Sequence, residues 1–293
     1  MDFINEPSNQ SPDHQLNLFS WQSEQLAEGW KLLADFNFDK AESNFQMVHQ
    51  QHNDDEEAVF GLNLCSAWEL TFENCSLKSD SDKASVLFTE WNNSSFPMAW
   101  GPQLLRKSLL HKIINLAIEN KVFQINDSIT LADLYLIDEK PELAELALQD
   151  FITNHHKTTS LQINLANIQW NLGKRKEAGQ NYMEALITNP DEIEVKNIKN
   201  DTLATIIHKF GADMAPAWGW IFGQLPLMKF NKFKEPEKIT RKGFYTYYIL
   251  FTAEMLAHQK KYNETIAWRK QLKECNPDLW CAYFDLLKRR KLK

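Results

Sequence analysis

The 293-residue chain contains no run of about 18 apolar residues, so no membrane span is expected. Its nine glycines and ten prolines are too few for the many tight turns of an all-β fold. Cys65, Cys75, Cys275 and Cys281 never fall in a CxxC pair, which removes the usual spacing of a structural zinc site. Met1 is followed by DFINEPSNQSPDHQ, which has neither the basic segment nor the apolar segment of a secretory leader. Four thiols in such a chain read as reduced, and the expected compartment is cytoplasmic. There is no Gly-rich phosphate loop, HExxH or GxSxG, and the Ser, Cys and His residues are scattered without a nucleophile signature. The expectation is a non-enzymatic protein with no cofactor and no metal.

What is present is large and apolar. Hydrophobic residues make up 43% of the chain, and ten tryptophans and eighteen phenylalanines supply core volume for one large domain or two. The net charge of −7 argues against nucleic acid as the general partner. That charge is unevenly placed. Residues 201–293 hold 17 Lys/Arg and 9 Asp/Glu, whereas residues 1–200 hold 15 and 30. Ends of opposite sign allow self-association or an acidic partner for the basic end.

A pattern repeats at a 34-residue offset. Leu131 and Ala132 recur as Leu165 and Ala166, and Ala144 recurs as Ala178, with Tyr182 in the place of Leu148. Such self-similarity is the mark of stacked helical repeats. Gly29 and Ala41 are 12 apart, as are Ala132 and Ala144, and Ala166 and Ala178. Small residues at that spacing let two antiparallel helices approach, and the large residue four positions later fills the groove between them. On this reading, residues 1–17 are a disordered leader and 18–127 are divergent helical repeats. Residues 128–190 are two clear repeats, 191–240 an irregular aromatic and basic insertion, and 241–293 a further repeat with a capping helix. Helices are expected over 83–91, 102–119, 130–137, 141–154, 160–172, 174–188, 192–199 and 202–210, with 74–82 as a polar loop.

The motif resembles the tetratricopeptide repeat. Leu131, Ala132, Tyr135 and Ala144 match one unit, and Leu165, Ala166, Ala178, Tyr182, Ala185 and Pro190 the next. Gly29, Ala41 and Phe45 match an N-terminal unit. Ala253, Pro277 and the stretch from Lys261 to Ile266 match a C-terminal one, although Thr265 and Arg269 depart from it. Ala178 to Thr265 is 87 residues, not a multiple of 34, so the array is interrupted. The resemblance implies an all-α, right-handed superhelical stack of antiparallel helix pairs, an α-solenoid. It also implies a scaffold that binds a peptide or helix of another protein in its concave groove. The Lys/Asn/Arg set with which some members hold a terminal carboxylate is not visible.

The implied groove residues are Asn164 and Asn167, with Gln162 nearby and Asp133 one repeat earlier; an Asn amide can hold a peptide backbone from both sides. Trp218, Trp220 and Phe222 form a second candidate, an aromatic patch or a piece of core. Lys229, Lys232, Lys234, Arg241 and Lys242, interleaved with Phe230 and Phe233, form a basic candidate that could meet an acidic partner or single-stranded nucleic acid. The alternatives to a scaffold are therefore a nucleic-acid-binding or regulatory factor using the basic C-terminal third, or an enzyme with a site at 211–240. His49 and His52 are three apart, but read as a solvated helix end.

Overall fold

In the computed structural model, which describes residues 12–155, 158–234 and 239–291, the helical periodicity becomes fourteen α-helices; no strand occurs among the described residues. The contacts divide the chain into two compact units, Met1–Lys140 and Pro141–Lys293. The division falls inside the 128–190 stretch, between the two helices of its first repeat.

Unit 1 comprises α1 (Pro12–Ala34), α2 (Phe38–Gln51), α3 (Glu56–Ser76), α4 (Asp80–Asn93), α5 (Trp100–Glu119) and the short α6 (Leu131–Ile137). Consecutive helices pack on one another, and α1 also lies along α5. The small residues act as the spacing predicts. Phe45 on α2 is fully buried, and its ring lies so close to the backbones at Gly29 and Gly61 that a Cβ at either would sit 2.9 or 2.7 Å from ring carbons. Trp30 is likewise fully buried, with its ring against Gly101. Around this pair Trp68, Leu105, Leu109 and Ile113 complete one apolar core. Cys65 is part of it. Burial, helped by the negative charges of Glu42 and Glu69, pushes its thiol up to about 12, so it is a packing residue and not a nucleophile.

Unit 2 comprises α7 (Pro141–Asn154), α8 (Thr159–Asn171), α9 (Arg175–Thr188), α10 (Asp201–Phe210), α11 (Ala215–Ile221), α12 (Lys242–His258), α13 (Tyr262–Cys275) and α14 (Pro277–Lys291). The pairs α8/α9 and α12/α13 are tight hairpins, and α11 packs on α9, α10, α12 and α14. The aromatic segment therefore fills the break between two hairpins. Its core joins Ala166, Tyr182, Trp218, Tyr247, Leu272 and Tyr283.

Four of the links between helices share one backbone device. Phe36, Glu139, Gly173 and Lys260 all adopt left-handed φ, between 58° and 76°. In each case the next residue donates its amide to the carbonyl five positions back: Asn37 to Leu32, Lys140 to Tyr135, Lys174 to Gln169 and Lys261 to Leu256. This is the Schellman helix stop. Glu139 and Gly173 are 34 residues apart, so the backbone repeats with the side-chain period.

Three expectations need correction. Helix α1 begins at Pro12, so 12–17 are helical; Pro12 suits a first helical position, where no amide donor is needed, and the expectation for 1–11 lies outside the described residues. The loop expected at 74–82 shrinks to 77–79, because α3 continues to Ser76 and α4 starts at Asp80. Residues 192–199 are not an α-helix but two 3-10 turns, Pro190–Glu192 and Val195–Asn197. There the chain is captured by α8, as described next.

Candidate interaction surfaces

Helix α8 starts where the Thr158 hydroxyl accepts the Leu161 amide, and its face toward α9 is apolar. Asn167 stands at the edge of that face. Its Oδ1 accepts the Tyr182 hydroxyl at 2.6 Å and the Lys199 amide at 3.0 Å, and its Nδ2 donates to the Asn197 carbonyl at 2.6 Å. The amide thus grips the backbone at the end of the second 3-10 turn, on either side of Ile198, but that backbone belongs to this chain. Ile198, between the two gripped residues, is buried, and Asn200 caps α10 by accepting the Leu203 amide. The captured segment is held at both ends and has no room to wind a helix. Burial pushes the Tyr182 phenol up to about 12, so it stays a neutral donor to Asn167.

The other groove candidates are mostly spoken for. Gln162 is buried and donates to Glu184 at 3.0 Å. Asp133 closes the capping box of α6, accepting the Thr130 amide at 2.8 Å while its own amide bonds the Thr130 hydroxyl. Asn164, three residues before Asn167, is exposed.

Trp218 and Trp220 are buried, whereas Phe222 is half exposed. Phe210, Trp218 and Phe222 form a stacked row, with centroids 4.0 Å and 5.9 Å apart. The patch is therefore core at two positions, with one open ring. Among the basic candidates, Lys229, Lys234 and Lys242 are exposed, Arg241 pairs with Asp191 at 2.8 Å, and the Lys232 side chain lies outside the described residues. Phe233 is buried against Phe244 and Phe251, so it offers no stacking face beside these cations.

Two buried carboxylates hold unit 2 together, and the sequence did not single them out. Glu145 on α7 accepts Lys174 at 2.5 Å and Gln149 and Gln169 at 3.1 Å each, joining α7 to α8 and to the start of α9. Glu254 on α12 accepts the Tyr283 hydroxyl and meets Arg290 at 2.8 Å and Arg269 at 3.9 Å, joining α12, α13 and α14. Both are saturated with partners, as buried charges must be. No group of three or more His, Cys, Asp or Glu residues suited to a metal occurs among the described residues, and none of their helices is long and apolar enough to cross a membrane.

Unit 1 carries a cleft of about 720 Å³ between α1, the start of α3 and the 97–102 stretch. Trp30 forms part of its floor and donates its indole N–H to Glu57 at 2.6 Å. Its lining combines the acids Asp54, Glu56 and Glu57 with the apolar Val59, Phe60 and Pro102. Sequence reading missed it because Trp30 reads as core and the acids read as a helix start. The one available signal was the run Pro97-Met98-Ala99-Trp100, in which Met98 and Trp100 prove exposed. No family model, curated protein or solved structure matches this chain.

Proposed function

We propose that the chain is a non-enzymatic protein-interaction module, built from tetratricopeptide-like hairpins in a right-handed, interrupted solenoid, and that it binds a peptide or helix of another protein. The recurrence of the Schellman link at 139 and 173, in step with the side-chain period, supports the repeat assignment. The observation that carries the functional reading is the Asn167 grip on residues 197 and 199. It supports the reading that the α8 edge can hold a backbone segment, with donor and acceptor supplied by one amide. Asn164 presents a second amide on the same helix, and its exposure leaves it available to a partner.

The test is cross-linking from Asn164. A photo-reactive side chain at Asn164 should capture a discrete partner in the native cell, and a matched probe at exposed Lys176 on α9 should not. Isolated partner and Asn164→Ala protein should then bind about tenfold more weakly than wild type, the worth of one or two interfacial hydrogen bonds. Unchanged affinity would remove the α8 face from the interface.

A further inference from the structure

The unit 1 cleft is negative and unneutralised. No Lys or Arg lines it, and no ion pair among the described residues reaches Asp54, Glu56 or Glu57. The surrounding charge has the same sign, since residues 1–100 hold 17 Asp/Glu against 4 Lys/Arg. Its apolar lining includes Pro97, Ala99 and Pro102, whose chain neighbours Met98 and Trp100 are 91% and 56% exposed. Single exposed apolar residues are ordinary, but here they adjoin a cleft with a volume inside the usual range of binding sites, about 300–1,000 Å³. The chemistry that fits is a cation carried beside a large apolar side chain.

The chain itself carries that chemistry at its other end. Helix α14 sets Trp280, Phe284 and Lys288 four residues apart on one face. Phe284 is 44% exposed, stacked on Trp280 at 5.7 Å, with the Lys288 ammonium 4.5 Å over its ring. Lys288 also pairs with the exposed Asp285 at 3.4 Å, a solvent-screened contact it can exchange; Arg289 is exposed next to it, whereas Arg290 is held by Glu254. This ridge is aromatic and basic where the cleft is apolar and acidic.

We propose that the cleft receives α14 of a second copy of this chain, with Phe284 against Val59, Phe60 and Pro102, and Lys288 and Arg289 facing Asp54, Glu56 and Glu57. The two surfaces differ, so the contact is head-to-tail. It is independent of the α8 face, and loss of one does not bear on the other. Its strength depends on salt because its charges lie at a rim open to solvent.

Sedimentation velocity of the full chain tests this with two charge-reversed variants. One is Asp54→Lys/Glu56→Lys, which spares Glu57 and its bond to Trp30. The other is Lys288→Glu/Arg289→Glu, which spares Arg290. Wild type should associate with rising concentration at about 50 mM salt, with an apparent Kd at least about tenfold weaker at about 500 mM. Each variant alone should sediment as a monomer at low salt, because its cleft and its ridge now carry the same sign. Their mixture should associate again, since each supplies the charge the other has lost. Phe284→Ser should weaken association at both salt concentrations, and circular dichroism should report unchanged helix content for all variants. A wild-type chain that stays monomeric up to about 100 µM at low salt, or a mixture of the two reversed variants that does not associate, overturns the proposal; the concentration is chosen against typical weak contacts in the micromolar range.

Discussion

Gly61→Ala is expected to destabilise unit 1, although alanine is the better helix former. A Cβ at 61 would lie 2.7 Å from two ring carbons of Phe45, against about 3.5–4.0 Å for an unstrained carbon contact. Something must therefore shift by about 1 Å. The Phe45 ring is fully buried, and it is wedged edge-on against Trp30 at a centroid distance of 5.1 Å and an angle of 70°. On its other side is Gly29, which a Cβ would also bring within 2.9 Å of the ring. Overpacking of this kind costs about 1–3 kcal/mol, while replacing glycine inside a helix returns about 1 kcal/mol. The net loss is about 0–2 kcal/mol. Phe45→Leu shortens the side chain, so in that background the clash is relieved and only the propensity gain remains. Gly61→Ala should then stabilise by up to about 1 kcal/mol, which makes the coupling between the two sites about 2 kcal/mol. Urea titrations of the four proteins, followed by tryptophan fluorescence and far-ultraviolet circular dichroism, measure both quantities. If Gly61→Ala raises the wild-type midpoint, or if the two changes are additive, the wedge does not govern how α1, α2 and α3 meet.

Four more outcomes follow from the geometry. Lys260→Gly should stabilise unit 2 by about 0.5–1 kcal/mol in a thermal melt, because a non-glycine residue at φ 59° is strained and glycine is not. Asn167→Ala should cost about 2–3 kcal/mol, since three hydrogen bonds are lost and the Tyr182 hydroxyl and Lys199 amide lose their acceptor; hydrogen exchange should show residues 197–199 deprotected ahead of α8 and α9. Asp138 is buried, which alone would raise its pKa, but Lys140 at 2.6 Å and His111 at 2.8 Å outweigh this and hold it below the ordinary carboxylate value. Its contribution to stability is therefore full above about pH 4 and lost as the pH falls through the lower folded-state value, and Asp138→Asn should narrow its deficit against wild type over that acid range in denaturant titrations. Glu254→Ala should cost about 3 kcal/mol, since Tyr283, Arg269 and Arg290 all lose their common acceptor, whereas Tyr283→Phe should cost only about 1 kcal/mol in the same assay.

The helices were legible because each shows its apolar face at three- and four-residue steps, and because local groups mark the ends. Asp55 caps α3 and Gly173 stops α8 where the residues indicate. The stops at Phe36, Glu139 and Lys260 were not legible as such. Nothing in a Phe, Glu or Lys announces left-handed backbone; each adopts it where a six-residue helix-stop bond closes around it. The 192–199 stretch was misread for the complementary reason. Its composition permits a helix, but Asn167, some thirty residues earlier, bonds its backbone, and a single sequence holds no sign of such a pairing. The same distance dependence governs the sites. Asn164 and Asn167 were both marked by their place beside Leu165 and Ala166, yet which of them faces solvent is decided by where the later segment lies.

That difference bears on the repeat reading proposed above. In a regular array, the segment after α9 would be the next helix, and the polar edge of α8 would remain open. Here Pro190 stops the helix, and Ile193, Val195 and Ile198 carry the chain in short turns until Ile198 is buried and Asn200 can cap α10. Asn200 also donates to Gln224 at 3.2 Å, which ties the captured segment to the turn that follows α11. Trp218 and Trp220 in α11 are then buried in the core that α11 shares with α9, α10, α12 and α14. The departure from the 34-residue period, the self-gripping asparagine and the buried tryptophans are thus one structural change and not three. Its effect is to close the inner half of the α8 edge and leave Asn164 as the exposed amide. The partner proposed for this surface is therefore expected to approach from the N-terminal half of α8. Substitutions in 193–199 should alter its binding only by loosening that helix's support.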